Sequence, residues 1–326
     1  MAGATIMAVA VMASTTTGVH GQTSTKQFKV ALLLPGKIND KGWNAIGHAG
    51  LMKIKSELGA EVAYSEDVVP ADQEAAFRDY AARGFSLVLA MGGQYTDGAM
   101  SIANQFPNVL FGVIGSNRTN GKNMASFNAR QEQTFFLGGV AAALASKSKK
   151  IGYISGIQVD NVVRGWMGFE QGVKAVEPNA TVQAVWTGNF EDVAKAKEAA
   201  IALIDRGFDV IQANSNAATF GAMQAAQERK VFGIGAYGDY TFVAPEAVVT
   251  NVIPAMDNVI LSAGKLAKSG KFEGKFYLYG FDDFDIGNIS PINAAIVGKE
   301  SAQKIKLTVD DYRARILSKK IEIKSP

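Results

Sequence analysis

The 326-residue sequence has no cysteine and only two histidines, His20 and His48. Without cysteine there is no disulfide, no zinc–thiolate site, no thiol nucleophile and no residue on which a lipoprotein anchor is built. Two histidines, one of them inside the helical-looking stretch "WNAIGHAGLMKI", leave almost no room for Ser-His catalysis or a multi-histidine metal centre. An excess of one charge is also missing: 33 Lys+Arg face 30 Asp+Glu, a net charge of +3, and the basic residues are scattered. A nucleic-acid partner is therefore not expected; the densest basic run, Lys147 to Lys150, reads as a solvated turn between a helix and a strand. No apolar stretch is long enough to cross a membrane. No phosphate-binding G-x-x-x-x-G-K-[ST], zinc-binding H-E-x-x-H or nucleophile G-x-S-x-G motif occurs. "DDFDIGN", from Asp282 to Asn288, has acidic spacing like part of a calcium loop but lacks its Gly and closing Glu, and reads as a solvated turn. Neither a cofactor nor a metal is expected.

What is present is a chain 48% hydrophobic and 19% charged, the balance of a soluble globular protein with one very large or two medium domains. Residues 1–24, "MAGATIMAVAVMASTTTGVHGQTS", combine an apolar core with small residues suited to a signal peptidase. They read as a secretory signal without the usual basic residue ahead of the core, which an upstream start would supply. The expected product is an exported, periplasmic protein; a plain N-terminal tail is the alternative.

From Lys29 onward, apolar strands alternate with helices. "KVALLLPG", "AEVAYSE", "FSLVLAMGG" and "NVLFGVIG" read as strands, and "GWNAIGHAGLMKIKSELG", "ADQEAAFRDYAARG" and "YTDGAMSIANQF" as helices. The series then repeats: strands "KKIGYISG", "ATVQAVWTG", "FDVIQA" and "VFGIGA" are separated by helices "VVRGWMGFEQGVKAV", "EDVAKAKEAAIALIDRG" and "AATFGAMQAAQERK". Continuous apolar strands alternating with helices predict parallel sheets covered on both faces. Gly42-Trp43 recurs as Gly165-Trp166, and Arg83-Gly84-Phe85 as Arg206-Gly207-Phe208, both 123 residues later. The expected fold class is α/β, with two doubly wound parallel-sheet lobes and a cleft between them. Ligands of open parallel sheets sit beyond the carboxyl ends of the strands, and there the sequence places "GKINDKGW", "MGGQYTD", "SGIQVDN", "ANSNAA" and "GAYGDY".

The last of these belongs to "VFGIGAYGDY", in which Gly233, Gly235 and Gly238 have the G-x-G-x-x-G spacing of a dinucleotide loop. That loop needs a helix starting at its glycines to hold the pyrophosphate. Here "DYTFVAPEAVVTNV" follows, with Pro245 and no helical period. The glycines read instead as a strand end that faces the cleft, where Gly permits close backbone approach.

"INDKGWNAIGHAGL" resembles the early motif of the basic membrane protein (BMP) family of substrate-binding proteins of ABC importers. The similarity continues through "MGGQYTDGAMSIANQFPNVLFGVI", "QEQTFFLGGVAAALASKSKKIGYISG", "VRGWMGFEQGVKAVEPNATV" and "TGNFEDVAKAKEAAIALIDRGFDVIQA". The resemblance implies a periplasmic-binding-protein type I fold with a three-segment hinge. It also implies a purine-type ligand, an ABC transporter permease as partner, and binding without catalysis. It places the aromatic wall on Trp43, the adjacent polar pair on Asn39 and Asp40, a cleft segment on Gly93, Gln94 and Tyr95, and a second aromatic wall on Phe190. Where nucleoside binders of the family have an acid, this chain has Tyr237; a family lysine is replaced near Ile253-Pro254, and a further acid is Gly115. A purine base is therefore expected ahead of a nucleoside.

The residues themselves leave alternatives open. Trp43 is expected at the ligand, or else in the core under the first helix. Asp40 is a ligand contact or the cap of that helix, and Phe190 a wall or a staple. Asn214 and Asn216 offer amides to a ring edge or cap the next helix, and Tyr237 and Asp239 bond the ligand or close the lobes. The lobes are expected at 27–128 plus 256–281 and 129–255 plus 282–326, in a monomer, crossing near 128–130, 252–256 and 280–284. A periplasmic sensor presenting its ligand to a membrane receptor would use the same fold. A nucleoside- or sugar-processing enzyme would need Asp40 and Asp239 as an acid–base pair in the cleft.

Overall fold

The expected strand–helix alternation is present in the computed structural model, which describes residues 27–326; the signal-like segment 1–24 lies outside the described residues. The first series runs β1 (Lys29–Leu33), α1 (Trp43–Leu58), β2 (Glu61–Ser65), α2 (Gln73–Ala82), β3 (Leu87–Met91), α3 (Thr96–Gln105), β4 (Leu110–Ile114) and β5 (Met124–Ala129). The second runs α4 (Gln131–Ala145), β6 (Lys150–Ser155), α5 (Asp160–Val176), β7 (Thr181–Trp186), α6 (Val193–Ile204), β8 (Val210–Asn214), α7 (Ala218–Glu228), β9 (Phe232–Ala236) and β10 (Val248–Pro254). There follow α8 (Met256–Lys268), β11 (Phe276–Tyr279), β12 (Gly287–Ile289), α9 (Ala294–Val297) and α10 (Lys299–Leu317).

Two six-stranded sheets result, ordered β2-β1-β3-β4-β5-β11 and β7-β6-β8-β9-β10-β12. Corresponding strands occupy corresponding places, which is the structural form of the 123-residue repeat. The sheets differ at one edge: β11 runs parallel to β5, whereas β12 runs antiparallel to β10. Strands such as β3 and β8 are buried along their whole length, because helices cover both faces, and so they carry no polar alternation.

The chain passes between the sheets three times: after β5 into α4, after β10 into α8, and between β11 and β12. Helix α8 packs on α1 of the first half, and α4 on α5 of the second. Thirteen of the fifteen α4 residues are buried, since α4 is pressed between α5, β10 and α10. A helix enclosed on all sides shows no amphipathic period, so the sequence placed a helix only by its end, ahead of the turn at Lys147. Gly168 and Gly172 of α5 lie against the α4 backbone at Glu132 and Phe136, where a Cβ atom has no room.

Candidate functional site

The carboxyl ends of both sheets face one another across a cleft, and the loops leaving β1, β3, β6, β8 and β9 build its walls. Asp40 organises the first of these loops. Its Oδ1 accepts the backbone amides of Gly42 (2.9 Å) and Ala45 (3.0 Å), and its Oδ2 the amide of Asn44 (2.9 Å) and the Asn44 Nδ2 group (2.7 Å). Both carboxylate oxygens are spent on capping α1, which otherwise begins at Gly42 without a side-chain cap. Asn44 is buried, and its Oδ1 accepts the amide of Gly36, tying the end of β1 to the helix. The arrangement fixes Trp43, whose indole Nε1 donates to the Met91 carbonyl at 3.3 Å.

Opposite Trp43 stands Tyr237. The rings meet edge-on, with centroids 5.2 Å apart and an interplanar angle of 77°, a geometry worth about 0.5–1.5 kcal/mol beyond area burial. Tyr237 has φ of 66°, a left-handed conformation uncommon for a bulky residue, and it turns the ring back into the cleft. Its hydroxyl donates to Gln131 Oε1 at 2.5 Å. Burial raises the pKa of this phenol, opposed less strongly by the amides of Asn161 and Gln131. The remaining walls include Gly92, Gly93, Gln94, Asn161, Phe190 and Asn214, and the cavity they leave is narrow, about 30 Å³.

Two polar atoms in this lining are buried and bond to nothing among the described residues: Asn161 Oδ1 and Ser215 Oγ. Asn161 is 4% and Ser215 5% exposed. Buried polar groups are almost always paired, because leaving one unpaired costs about 1–3 kcal/mol. Asn214, by contrast, is engaged, its Nδ2 donating to the Tyr153 hydroxyl at 2.6 Å. Asn216 Nδ2 donates to Glu191 Oε1 at 2.6 Å at the cleft edge.

A polar chain leads away from the cleft behind Tyr237. Gln131 Nε2 donates to Asn128 Oδ1 (3.4 Å), and Asn128 Nδ2 to Asp160 Oδ2 (3.1 Å). Asp160 Oδ1 also accepts Asn117 Nδ2 (3.1 Å), and its Oδ2 accepts Arg164 Nε (2.9 Å). Arg164 reaches Glu132 Oε1 at 3.4 Å. Asp160 and Arg164 belong to the second half, whereas Asn117 and Asn128 belong to the first, so the chain joins the halves beside the first crossing. Burial holds the Glu132 carboxyl above the ordinary carboxylate value, with Arg164 pulling the other way.

Of the residues expected at a ligand, Trp43, Gly93, Gln94, Phe190, Asn214 and Tyr237 line this cleft. The four others expected there, Asn39, Asp40, Tyr95 and Asp239, do not line it in this structure. Asp40 caps α1. Tyr95 is turned into the core of the first half, its hydroxyl donating to the Val68 carbonyl at 2.9 Å. Asp239 is exposed, and its Oδ1 accepts the amide and hydroxyl of Thr241 (2.9 and 2.7 Å). Asn39 is exposed on the loop ahead of the cap. In each case the loop backbone, not the residue type, decides where the side chain goes. Neither member of the Asp40–Asp239 pair lines the cleft, so the acid–base pair a processing enzyme would need is not assembled there. Asn161 and Ser215 were not singled out; both lie in or beside strand-end segments that the sequence did point to.

Two linked α/β sheets with a lined cleft at their carboxyl ends give the two-lobed architecture that solved solute-binding proteins share. The chain belongs to the Bmp family, PnrA-like ABC transporter substrate-binding proteins, whose family model matches residues 27–324. It is 28% identical over 261 residues to a purine-binding protein of Brucella abortus (strain 2308), covering 79% of this chain and 74% of the relative. Among solved structures it resembles an ABC transporter solute-binding protein of Conexibacter woesei at 25% identity and a TM-score of 0.71, covering 91% of this chain and 99% of the other. A solute-binding protein of Aeropyrum pernix K1 has the same fold, with a TM-score of 0.78 at 18% identity, covering 92% and 94% of the two chains.

Proposed function

We propose that the protein is an extracytoplasmic binding component of an ABC importer that captures a purine base between its two halves. The carrying observation is the pair of unpartnered polar atoms, Asn161 Oδ1 and Ser215 Oγ, beside the aromatic walls Trp43, Phe190 and Tyr237. Flat apolar walls favour a flat ring, and a few fixed polar groups orient it. Asn161 Oδ1 can only accept, so it asks for a ring N–H; Ser215 Oγ can donate to a ring nitrogen or exocyclic carbonyl. A purine base offers both kinds of edge. Tyr237, packed on Trp43, stands where nucleoside binders of the family have an acid, which favours a base over a nucleoside. The similarity to a purine-binding relative supports the same reading.

The halves are taken as 27–128 with 256–281 and 129–255 with 282–326, hinged at the three crossings, and the closed form is the one a permease would read. Closure is a population shift driven by contacts made only when the halves meet. Among the described residues no helix is long and apolar enough to cross a membrane, and export and a periplasmic location complete the proposal.

A thermal-shift panel of adenine, guanine, hypoxanthine, urate, their nucleosides and simple sugars tests it. At least one purine base should raise the melting temperature more than its nucleoside does, and sugars should have no effect. Asn161→Ala should weaken binding of that base by about 1–3 kcal/mol while leaving the unliganded melting temperature unchanged or higher. A response to sugars alone, or to nothing in the panel, refutes the purine assignment.

A further inference from the structure

Gly238, the last glycine of "VFGIGAYGDY", contributes no side chain to the cleft, yet its environment is unusually restrictive. A Cβ atom placed on it would fall inside the van der Waals sphere of the Lys41 carbonyl oxygen and close to Gly42 Cα. Gly238 lies in the second half, after β9, and Lys41 in the first, ahead of α1. The backbones of the two halves therefore touch at this point. Gly238 is not among the residues with positive φ, so its own conformation is open to any L-residue. The requirement for glycine comes entirely from the opposing half.

The neighbourhood repeats the pattern. Lys41 has φ of 54°, a left-handed turn that directs its carbonyl at Gly238, and its Nζ sits 4.2 Å from the centroid of the Phe242 ring. A Cβ on Gly42 would come within 3.2 Å of the Tyr240 hydroxyl, a buried group with no partner among the described residues. Residues 41–43 and 237–242 thus form one seam of backbone, cation–π and aromatic contacts at the mouth of the cleft.

We propose that Gly238 is the closure-permitting residue of the protein: it lets the two halves meet, and any side chain there blocks closure without touching ligand or disturbing either half. This rests on the hinge-closure reading above but not on the identity of the ligand. Because the halves are held apart only in the variant, Gly238→Ala should fold normally and populate only open forms.

The native absence of cysteine gives a direct assay. Lys41→Cys and Phe242→Cys place a reporter pair across the seam, and a short bifunctional maleimide traps closure whenever it occurs, with no ligand needed. Adding Gly238→Ala should slow cross-linking at least tenfold, with circular dichroism and melting temperature unchanged. An equal rate, or a variant that does not fold, overturns the proposal; in the second case the contact serves the fold rather than closure. Adenine, guanine or hypoxanthine added to the Gly238 form tests the ligand separately. Faster trapping supports the purine assignment. An unchanged rate counts against that assignment alone and leaves the glycine result standing.

Discussion

Replacing Asp40 distinguishes two roles that the sequence left open. The carboxylate accepts three backbone amides in the first turn of α1 and one side-chain amide, at 2.7 to 3.0 Å. Removing a helix cap of this kind costs about 0.5–2 kcal/mol, and the charged, multiply bonded acceptor puts Asp40→Ala toward the upper end. In a cooperative unit of about 150–250 residues each kcal/mol lowers the melting temperature by about 2–4 °C, so a fall of about 3–8 °C is expected. Asp40→Asn keeps one acceptor oxygen and should lose less than half of this. Differential scanning calorimetry of the unliganded protein measures the loss, and isothermal titration with the base found by the panel measures binding. Asp40→Asn should keep its affinity within about threefold, under 1 kcal/mol. An unchanged melting temperature together with lost binding would refute the capping role and return Asp40 to the ligand.

Tyr95→Phe removes the donor to the Val68 carbonyl inside the first half; stability should fall by about 1–3 kcal/mol with ligand affinity unchanged in the same titration, whereas weakened binding at full stability would place Tyr95 in the cleft after all. Glu132 bears on pH. Its folded-state pKa lies above the ordinary value of 4.5, so its contribution to stability is present in full below that value and is lost as pH rises through the raised folded one. Glu132→Gln should therefore show a smaller loss of melting temperature than the wild type between pH 5 and neutrality; parallel profiles would contradict the buried, desolvated carboxyl.

The alternation of β1 to β4 and of β6 to β9 with their helices was legible because parallel strands buried on two faces must be apolar throughout, and because the series occurs twice; β5, β10, β11 and β12, at the crossings and sheet edges, were not read as strands. The extent of helix α4 was not legible, for the opposite reason: buried on nearly every side, it has no polar face to set a period, and only its end before Lys147 was read. The region of the cleft was legible too, since strand ends in a parallel sheet are where loops carry unusual residues. Which side chains enter it was less so. Asp40, Tyr95 and Asp239 sit in the right segments, but a turn can direct a side chain into solvent, core or cleft with little change in sequence. Asn161 and Ser215 look in sequence like ordinary polar residues near helix starts. Only the missing hydrogen-bond partners set them apart, and those are properties of the packed chain.

The three passages between sheets also govern how the protein can come into being. The first sheet is incomplete until β11 pairs with β5 from Phe276↔Ser126 to Tyr279↔Ala129. Its helix α1 lacks its partner helix until α8 arrives, a contact that includes Lys53 Nζ and Asn258 Oδ1, 205 residues apart. The amino-terminal half therefore cannot complete its sheet until residue 279 has been made, however early its own residues emerge. Contacts of such long range make folding slow and leave sheet edges unpaired in the interval. The first sheet stays open at its β5 edge until residues 276–279 are present.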